Sequence, residues 1–338
     1  MDHVKVAILD TGVADEIKDS RIKYGIQIYY DYLNTNFVIN EKVTDYNGHG
    51  TACINTIWEV CPNVDIFVIK VLGISGQVSS KIFVEALKHV VELDVDIVTV
   101  CASIIANVED IEIKELCDRM AKDGKIIIAS VQNGKKTSAI ANYENVIGVI
   151  GEEMGENEFL YCKDREIQMQ CSSCPIIIRG LRGIRNPFQG NSKATAIATG
   201  IIAKHLYMNK GSRRYLDDIL GQESKISGAV VGYFENKEYD DIKENNYAEN
   251  DDNYLRFLYI LCEFFLCEDV EDMRTLDILE YKNRLLLRGI DELLGLIEER
   301  FGIQIDAVSI KDLKWAYVFY ENIVMENMLR SSGEYEVK

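Results

Sequence analysis

No apolar run in this 338-residue chain is long enough to cross a membrane, and Met1-Asp2-His3-Val4 enters the first apolar stretch without a basic-then-apolar leader. The sequence therefore predicts no membrane span and no secretion, and points to the cytoplasm. Cations are also short. Against 55 Asp+Glu there are 37 Lys+Arg, a net charge of −18, which argues against nucleic acid and anionic membrane as partners and weakly favours basic ones. Histidine is scarce, and of His3, His49, His89 and His205 only His49 sits in a recognisable motif. Disulfides are not expected, because nine cysteines is an odd number in a long chain and several fall in apolar patterns. Cys171-Ser172-Ser173-Cys174 has the spacing of a zinc or redox pair, but no second pair accompanies it. We expect no metal and no cofactor.

What is present is a length beyond one typical domain, with 47% hydrophobic residues to fill a core, so two domains are expected. Val4 to Leu9, Val64 to Val71, Ile97 to Val100, Ile126 to Ser130 and Val146 to Val149 are short β-branched runs with few polar breaks. That is the pattern of parallel strands buried on both faces. Between them, Ser80 to Leu93 carries Ile82, Phe83, Ala86, Leu87, Val90 and Val91 at helical spacing, and Ile111 to Lys122 is similar. The reading is an α/β fold, a doubly wound parallel sheet with helices on both faces, over residues 1–210. A connecting segment, 211–253, includes the acidic stretch from Tyr233 to Asn253. Residues 211–338 hold 15 Lys+Arg and 28 Asp+Glu, a net of −13, leaving −5 for the first 210. Helical patterns then run from Tyr254 to Cys267, Ile290 to Phe301 and Leu313 to Val324, enough for a small all-α bundle over 254–338.

Three short segments carry chemistry. Asp10-Thr11-Gly12 ends the first apolar run, His49 stands in Asn47-Gly48-His49-Gly50-Thr51, and Ser192 stands in Gly190-Asn191-Ser192-Lys193-Ala194 ahead of the small residues Ala196, Ala198 and Gly200. Singly, these read as a turn, a satisfied polar group and a loop. Together they supply what acyl transfer needs: a hydroxyl to attack, an imidazole to take its proton and a carboxylate to orient the imidazole. In this order and with these flanks, roughly the first 205 residues resemble the subtilisin-like serine proteases. The resemblance implies peptide-bond hydrolysis in which Asp10 orients His49, His49 is the base and Ser192 the nucleophile. It also implies Asn133 as oxyanion donor beside the Ser192 N–H, and substrate laid as a strand along Val100-Cys101-Ala102-Ser103. Cys101, Ala102 and Ser103 then wall the primary specificity pocket. Asn191, Lys193 and Thr195-Ala196-Ile197 depart from the family pattern, as does Val131-Gln132 before Asn133. No acidic loop matches a calcium site of the family, and there is no room before Asp10 for a folding prodomain, which suggests a protein made active or regulated by a partner.

Ile290 to Asp306 resembles the second helix and exit of an acyl carrier protein, with Leu287 where the attachment serine would stand. A carrier-like docking domain unable to hold an acyl group is implied. The pairing resembles components of bacterial peptide-maturation systems, in which a leader is cut from a ribosomally made precursor such as a bacteriocin. The expected partners are that precursor and a maturation enzyme docked on the helical domain. Two alternatives stand beside this: a non-cleaving peptide-binding scaffold, and a general intracellular housekeeping protease.

Overall fold

The computed structural model describes residues 3–76, 78–101, 110–136, 138–156, 158–209, 216–224, 251–265, 270–275, 289–313 and 316–332. They fall into two units, one of residues 1–183 and 188–230, the other of 184–187 and 231–338.

The first unit is built on a nine-stranded sheet. Its strands are β1 (Val4–Asp10), β2 (Ile22–Asp31), β3 (Asn36–Asn40), β4 (Val64–Lys70), β5 (Ile97–Val100), β6 (Ile126–Ser130), β7 (Val146–Glu152), β8 (Phe159–Tyr161) and β9 (Met169–Ser172). They are ordered β3-β2-β4-β1-β5-β6-β7-β9-β8. The pairs from β2 through β9 are parallel, while β3 and β8 add antiparallel edges. This confirms the expected α/β class and its parallel core.

Side chains on a strand alternate between faces. Ala7 and Leu9 of β1 join one buried cluster with Phe83, Leu87 and Val90 of α2 (Ser80–Val91) and Ile113 and Met120 of α3 (Asp110–Lys122). Val6 and Ile8 face the other way and are equally buried. There α1 (His49–Val60) and α4 (Asn191–Met208) pack on the sheet and on each other. Ala194, Ala196, Ala198 and Gly200 are buried, so the run of small residues lets α4 lie close, and Thr199 Oγ1 meets Thr99 Oγ1 of β5 at 2.9 Å. Each fully buried Phe, Leu or Ile in these layers contributes about 1.5–3 kcal/mol.

The first unit continues past residue 210. Helix α5 (Leu216–Glu223) is tied to it by Tyr161 Oη donating to Asp217 at 2.5 Å, by Lys163 on Asp217 at 2.6 Å, and by His205 on Glu223 at 3.1 Å. The expected connecting segment therefore starts too early, since 216–224 pack as part of the α/β unit. The acidic stretch of that segment, up to residue 250, lies outside the described residues.

In the second unit, helices Asp252–Phe265 and Gly289–Phe301 match their patterns. The third pattern is broken instead: a 3-10 turn at Ile310–Leu313 and helix Ala316–Phe319 precede a π-helical stretch, Tyr320–Met325, which runs into Glu326–Ser332. Its core joins Tyr254, Phe257, Phe319 and Tyr320, with Phe257 and Phe319 edge-on at 5.2 Å. Residues 184–187 belong here because Arg185, 4% exposed, donates to Ile305 O at 2.9 Å and pairs with Asp291 at 2.8 Å and Glu298 at 2.5 Å. Two acidic residues of helix Gly289–Phe301 are thus engaged internally. Residues 285–288, including Leu287, lie outside the described residues.

Candidate active site

Asp10 ends β1, Cys101 follows β5 and Asn133 follows β6, and these three strands are neighbours. Chain order reverses around β1, with β4 on one side and β5 on the other. The carboxyl ends of strands at such a switch point form the crevice where open α/β sheets bind ligands.

His49 is the first residue of α1, and its Nδ1 lies 2.7 Å from Asp10 Oδ1. The same oxygen accepts from Thr11 N at 2.7 Å. Asp10 is 1% exposed, whereas the His49 side chain keeps 27% of its surface, so the carboxylate is fixed and the imidazole stays reachable. Phe188 stands edge-on to the ring at 5.8 Å. Burial works against the imidazolium, but the charge and hydrogen bond of Asp10 outweigh it, helped by Cys101 and Asp45, and push His49 up to about 9. Below that pH the cation is favoured, and above it the neutral ring that can accept a proton.

Asp45 went unread in the sequence. Buried ahead of α1, it accepts from Asn47 N at 2.9 Å, Gly48 N at 2.8 Å, Thr51 N at 3.0 Å and Thr51 Oγ1 at 2.7 Å. It thereby satisfies amides at the helix start that no helical carbonyl can reach. Burial raises its pKa, but these donors more than reverse that and hold it below the usual carboxylate range. An Asp a few residues before a helix is the legible signal.

Ser192 is the second residue of α4 and half-buried, where free N–H groups and the helix dipole favour negative charge. Gly190 has φ 83, a conformation that favours glycine, and a Cβ there would stand 3.2 Å from Asn133 Oδ1. The departures from the family pattern hold this turn. Asn191 Oδ1 accepts from Gly151 N at 2.8 Å, Asn191 Nδ2 donates to Val131 O at 2.9 Å, and Asn191 N donates to Asn133 Oδ1 at 3.1 Å. Asn133 is thus drawn to the turn before Ser192, and its Nδ2–H groups are the donors it has to offer. Lys193 is fully buried, with Nζ 2.5 Å from Glu156 Oε2, 2.6 Å from Cys174 O and 3.3 Å from Ser172 Oγ. Burial lowers its pKa, with Glu156 opposing.

Cys101 is completely buried, with its Sγ 3.7 Å from Thr99 Oγ1. Ala102 and Ser103 lie outside the described residues. Because β5 is flanked on both sides by β1 and β6, the expected substrate edge is not on β5 itself. The thiols of Cys171 and Cys174 are free and buried, and burial raises that of Cys171. The other histidines pair elsewhere, His3 with Asp65 at 2.9 Å and His89 with Tyr24 at 2.7 Å.

A doubly wound sheet with a carboxylate–imidazole pair at its switch point, and a serine opening a helix that packs on the helix of that imidazole, defines the class. Residues 1–218 match the profile of the subtilase family, Peptidase S8, and the chain belongs to that family. It is 26% identical to subtilisin DY of Bacillus licheniformis over 171 residues, 46% of this chain and 58% of that protein. It is 25% identical to alkaline elastase YaB of Bacillus sp. (strain YaB) over 215 residues, 60% and 52% of the two chains. It is 27% identical to the major intracellular serine protease of Bacillus subtilis (strain 168) over 164 residues, 44% and 50%. The chain spans about half the length of the curated relatives it matches.

Proposed function

We propose that this protein is a serine endopeptidase that cleaves peptide bonds through Asp10, His49 and Ser192. The observation that carries the reading is the 2.7 Å contact between buried Asp10 and His49 Nδ1. A proton held on Nδ1 leaves Nε2 as the basic nitrogen. Nε2 takes the Ser192 proton as Oγ attacks the peptide carbonyl, and Asn133 with the Ser192 N–H holds the oxyanion that develops. His49 then gives its proton to the leaving amine, and water attacks the acyl-enzyme by the same route.

The finer reading is leader removal from a ribosomally made precursor peptide in the cytoplasm, with the acidic helical unit docking a partner of the maturation system. Family membership of the α/β unit and its pairing with an acidic helical unit support it, as does one relative whose name marks it as intracellular. No helix among the described residues is long and apolar enough to cross a membrane.

Fluorophosphonate labelling of the reduced full chain and of Ser192→Ala tests the first part. Labelling lost in the variant supports an activated serine, whereas no labelling of the wild type moves the reading to a non-cleaving peptide-binding protein. Mass spectrometry of leader-bearing precursors and of casein tests the second. One cut at the leader boundary supports processing, and general digestion of casein points to a housekeeping protease.

A further inference from the structure

The short strand Arg185–Phe188 belongs to both units: residues 184–187 fall in the helical unit, and Phe188 opens the last stretch of the α/β unit. Its two ends are buried and its middle is exposed. Three residues of strand span about 10 Å and put Arg185 and Phe188 on opposite faces. At one end the Arg185 guanidinium is buried in the helical unit. Nε donates to Ile305 O at 2.9 Å, Nη1 donates to Asp291 Oδ1 at 2.8 Å, and Nη2 lies 2.5 Å from Glu298 Oε1, out of line for a hydrogen bond. The Arg185 amide also donates to Asp291 Oδ1, at 3.2 Å, so main chain and side chain are gripped together. Asp291 and Glu298 stand about two turns apart on helix Gly289–Phe301 and so share a face. At the other end Phe188 stands edge-on to the His49 ring, with 5.8 Å between centroids. Just beyond it, Gly190 N donates to Ser173 O at 3.1 Å, and Ser192 follows at the start of α4.

We propose that Arg185 is a positioning residue for the catalytic pair: by fixing this strand in the helical unit, it sets where Phe188 meets His49 and where the chain enters the Ser192 turn. The effect on rate rests on the peptidase reading, whereas the effect on the His49 ring does not. A buried cation held by carboxylates contributes little net stability, since well-packed apolar residues of similar size commonly serve as well, so what the Arg185 network supplies is a defined register. An extended strand has no slack to absorb a displacement, and Pro187, with its fixed φ, stiffens the link next to Phe188. A shift at Arg185 is therefore passed on to the ring beside His49. A misplacement of about 1 Å that begins far from the chemistry can cost about 10²-fold in rate. The helical unit thus acts on the active site through the covalent chain.

The test uses the full chain with isotope-labelled histidine, whose ring signals are followed by NMR, the His49 signal being assigned by its loss in His49→Gln. Phe188→Leu removes the aromatic neighbour and gives the direction in which the His49 signal moves without it. Arg185→Gln should move that signal the same way and slow fluorophosphonate labelling by about 10²-fold. Arg185→Lys, which keeps the charge but not the planar fork, should recover part of both. A His49 signal at the wild-type position in folded Arg185→Gln overturns the proposal whatever happens to the melting temperature, because a purely structural role would lower melting without touching that ring. Should Arg185→Gln fail to fold, Asp291→Asn, at the more exposed of the two carboxylates, carries the same measurement with the same two outcomes. A wild type that takes no label sinks the peptidase reading alone, and the histidine signals still decide the role of Arg185.

Discussion

The two halves of the candidate site are held by different means. On the Asp10–His49 side, residues of the family motifs form a tight backbone junction: Gly50 N donates to Thr11 Oγ1 at 2.8 Å, and Asp45 fixes the start of α1. On the Ser192 side, two residues foreign to the family motif have taken over, with Asn191 bridging the end of β7 and the segment after β6, and Lys193 forming a part-buried ion pair with Glu156. The first half needs close approach of backbones, and the second tolerates substitution as long as buried polar groups find partners. A motif is therefore rigid where backbone meets backbone and replaceable where side chains make the contacts.

The largest effect expected is at that backbone junction. In Gly50→Ala the new Cβ would meet Gly12 O at 2.4 Å and Asp10 Oδ1 at 3.2 Å, with no flexible side chain to give way first. We expect a loss of roughly 3 kcal/mol or more, with labelling abolished, measured by urea denaturation and fluorophosphonate reaction. Wild-type stability would show that the junction is not tight. Asn133→Ala tests chemistry on the opposite half and removes one hydrogen bond of the fold, the one from Asn191 N. It should lower kcat by about 10²–10³ with little change in melting, a range established on subtilisin, a member of the same family. A fall in KM-governed binding alone would remove Asn133 from the oxyanion role.

Lys193→Met restores the residue type usual in the family but leaves Glu156 and Cys174 O without their cation. Removing one partner of a buried pair costs about 3–5 kcal/mol, and the 30% exposure of Glu156 reduces this to roughly 2. The double variant with Glu156→Gln should recover part of the loss, and a simple sum of the two single effects would show that the pair is not coupled. The smallest effect is expected for Asp45→Asn, about 1–2 kcal/mol at neutral pH. Asp45 has its folded pKa lowered. Its contribution is therefore present above the unfolded carboxylate value of about 3.9 and lost as pH falls through the lower folded value. Stability of the wild type and Asp45→Asn, followed by denaturation from pH 7 into acid, should converge at the acid end. A gap that persists there would assign the difference to packing.

The parallel core was legible because strands buried on both faces leave unbroken β-branched runs, and α2 because its apolar residues keep helical spacing. β2 was not, since its ten residues, Ile22–Asp31, mix buried Ile26 and Ile28 with exposed and half-buried neighbours, and no run stands out. Short edge strands such as β3 and β8 carry no periodic signal over three to five residues. The last helical pattern of the second unit failed for another reason. Spacing records which residues are apolar but not whether the backbone widens into a π-turn, and Tyr320–Met325 does.

By itself the sequence determined the family and named three candidate residues for a triad, because three reactive residue types in one order with fixed flanks are a chemical statement made before any geometry. It also determined that Asn191 and Lys193 depart from the pattern. Where those side chains go was decided only in the tertiary structure. Lys193 is adjacent to Ser192 in the chain yet points into a buried pocket of Glu156, Ser172 and Cys174, because at a helix start neighbouring side chains diverge by about 100°. Arg185 and its partners Asp291 and Glu298 were unrelated charges in the sequence. They meet because helix Gly289–Phe301 turns both carboxylates toward residues 184–187 within the second unit, a proximity set by packing and not by spacing along the chain.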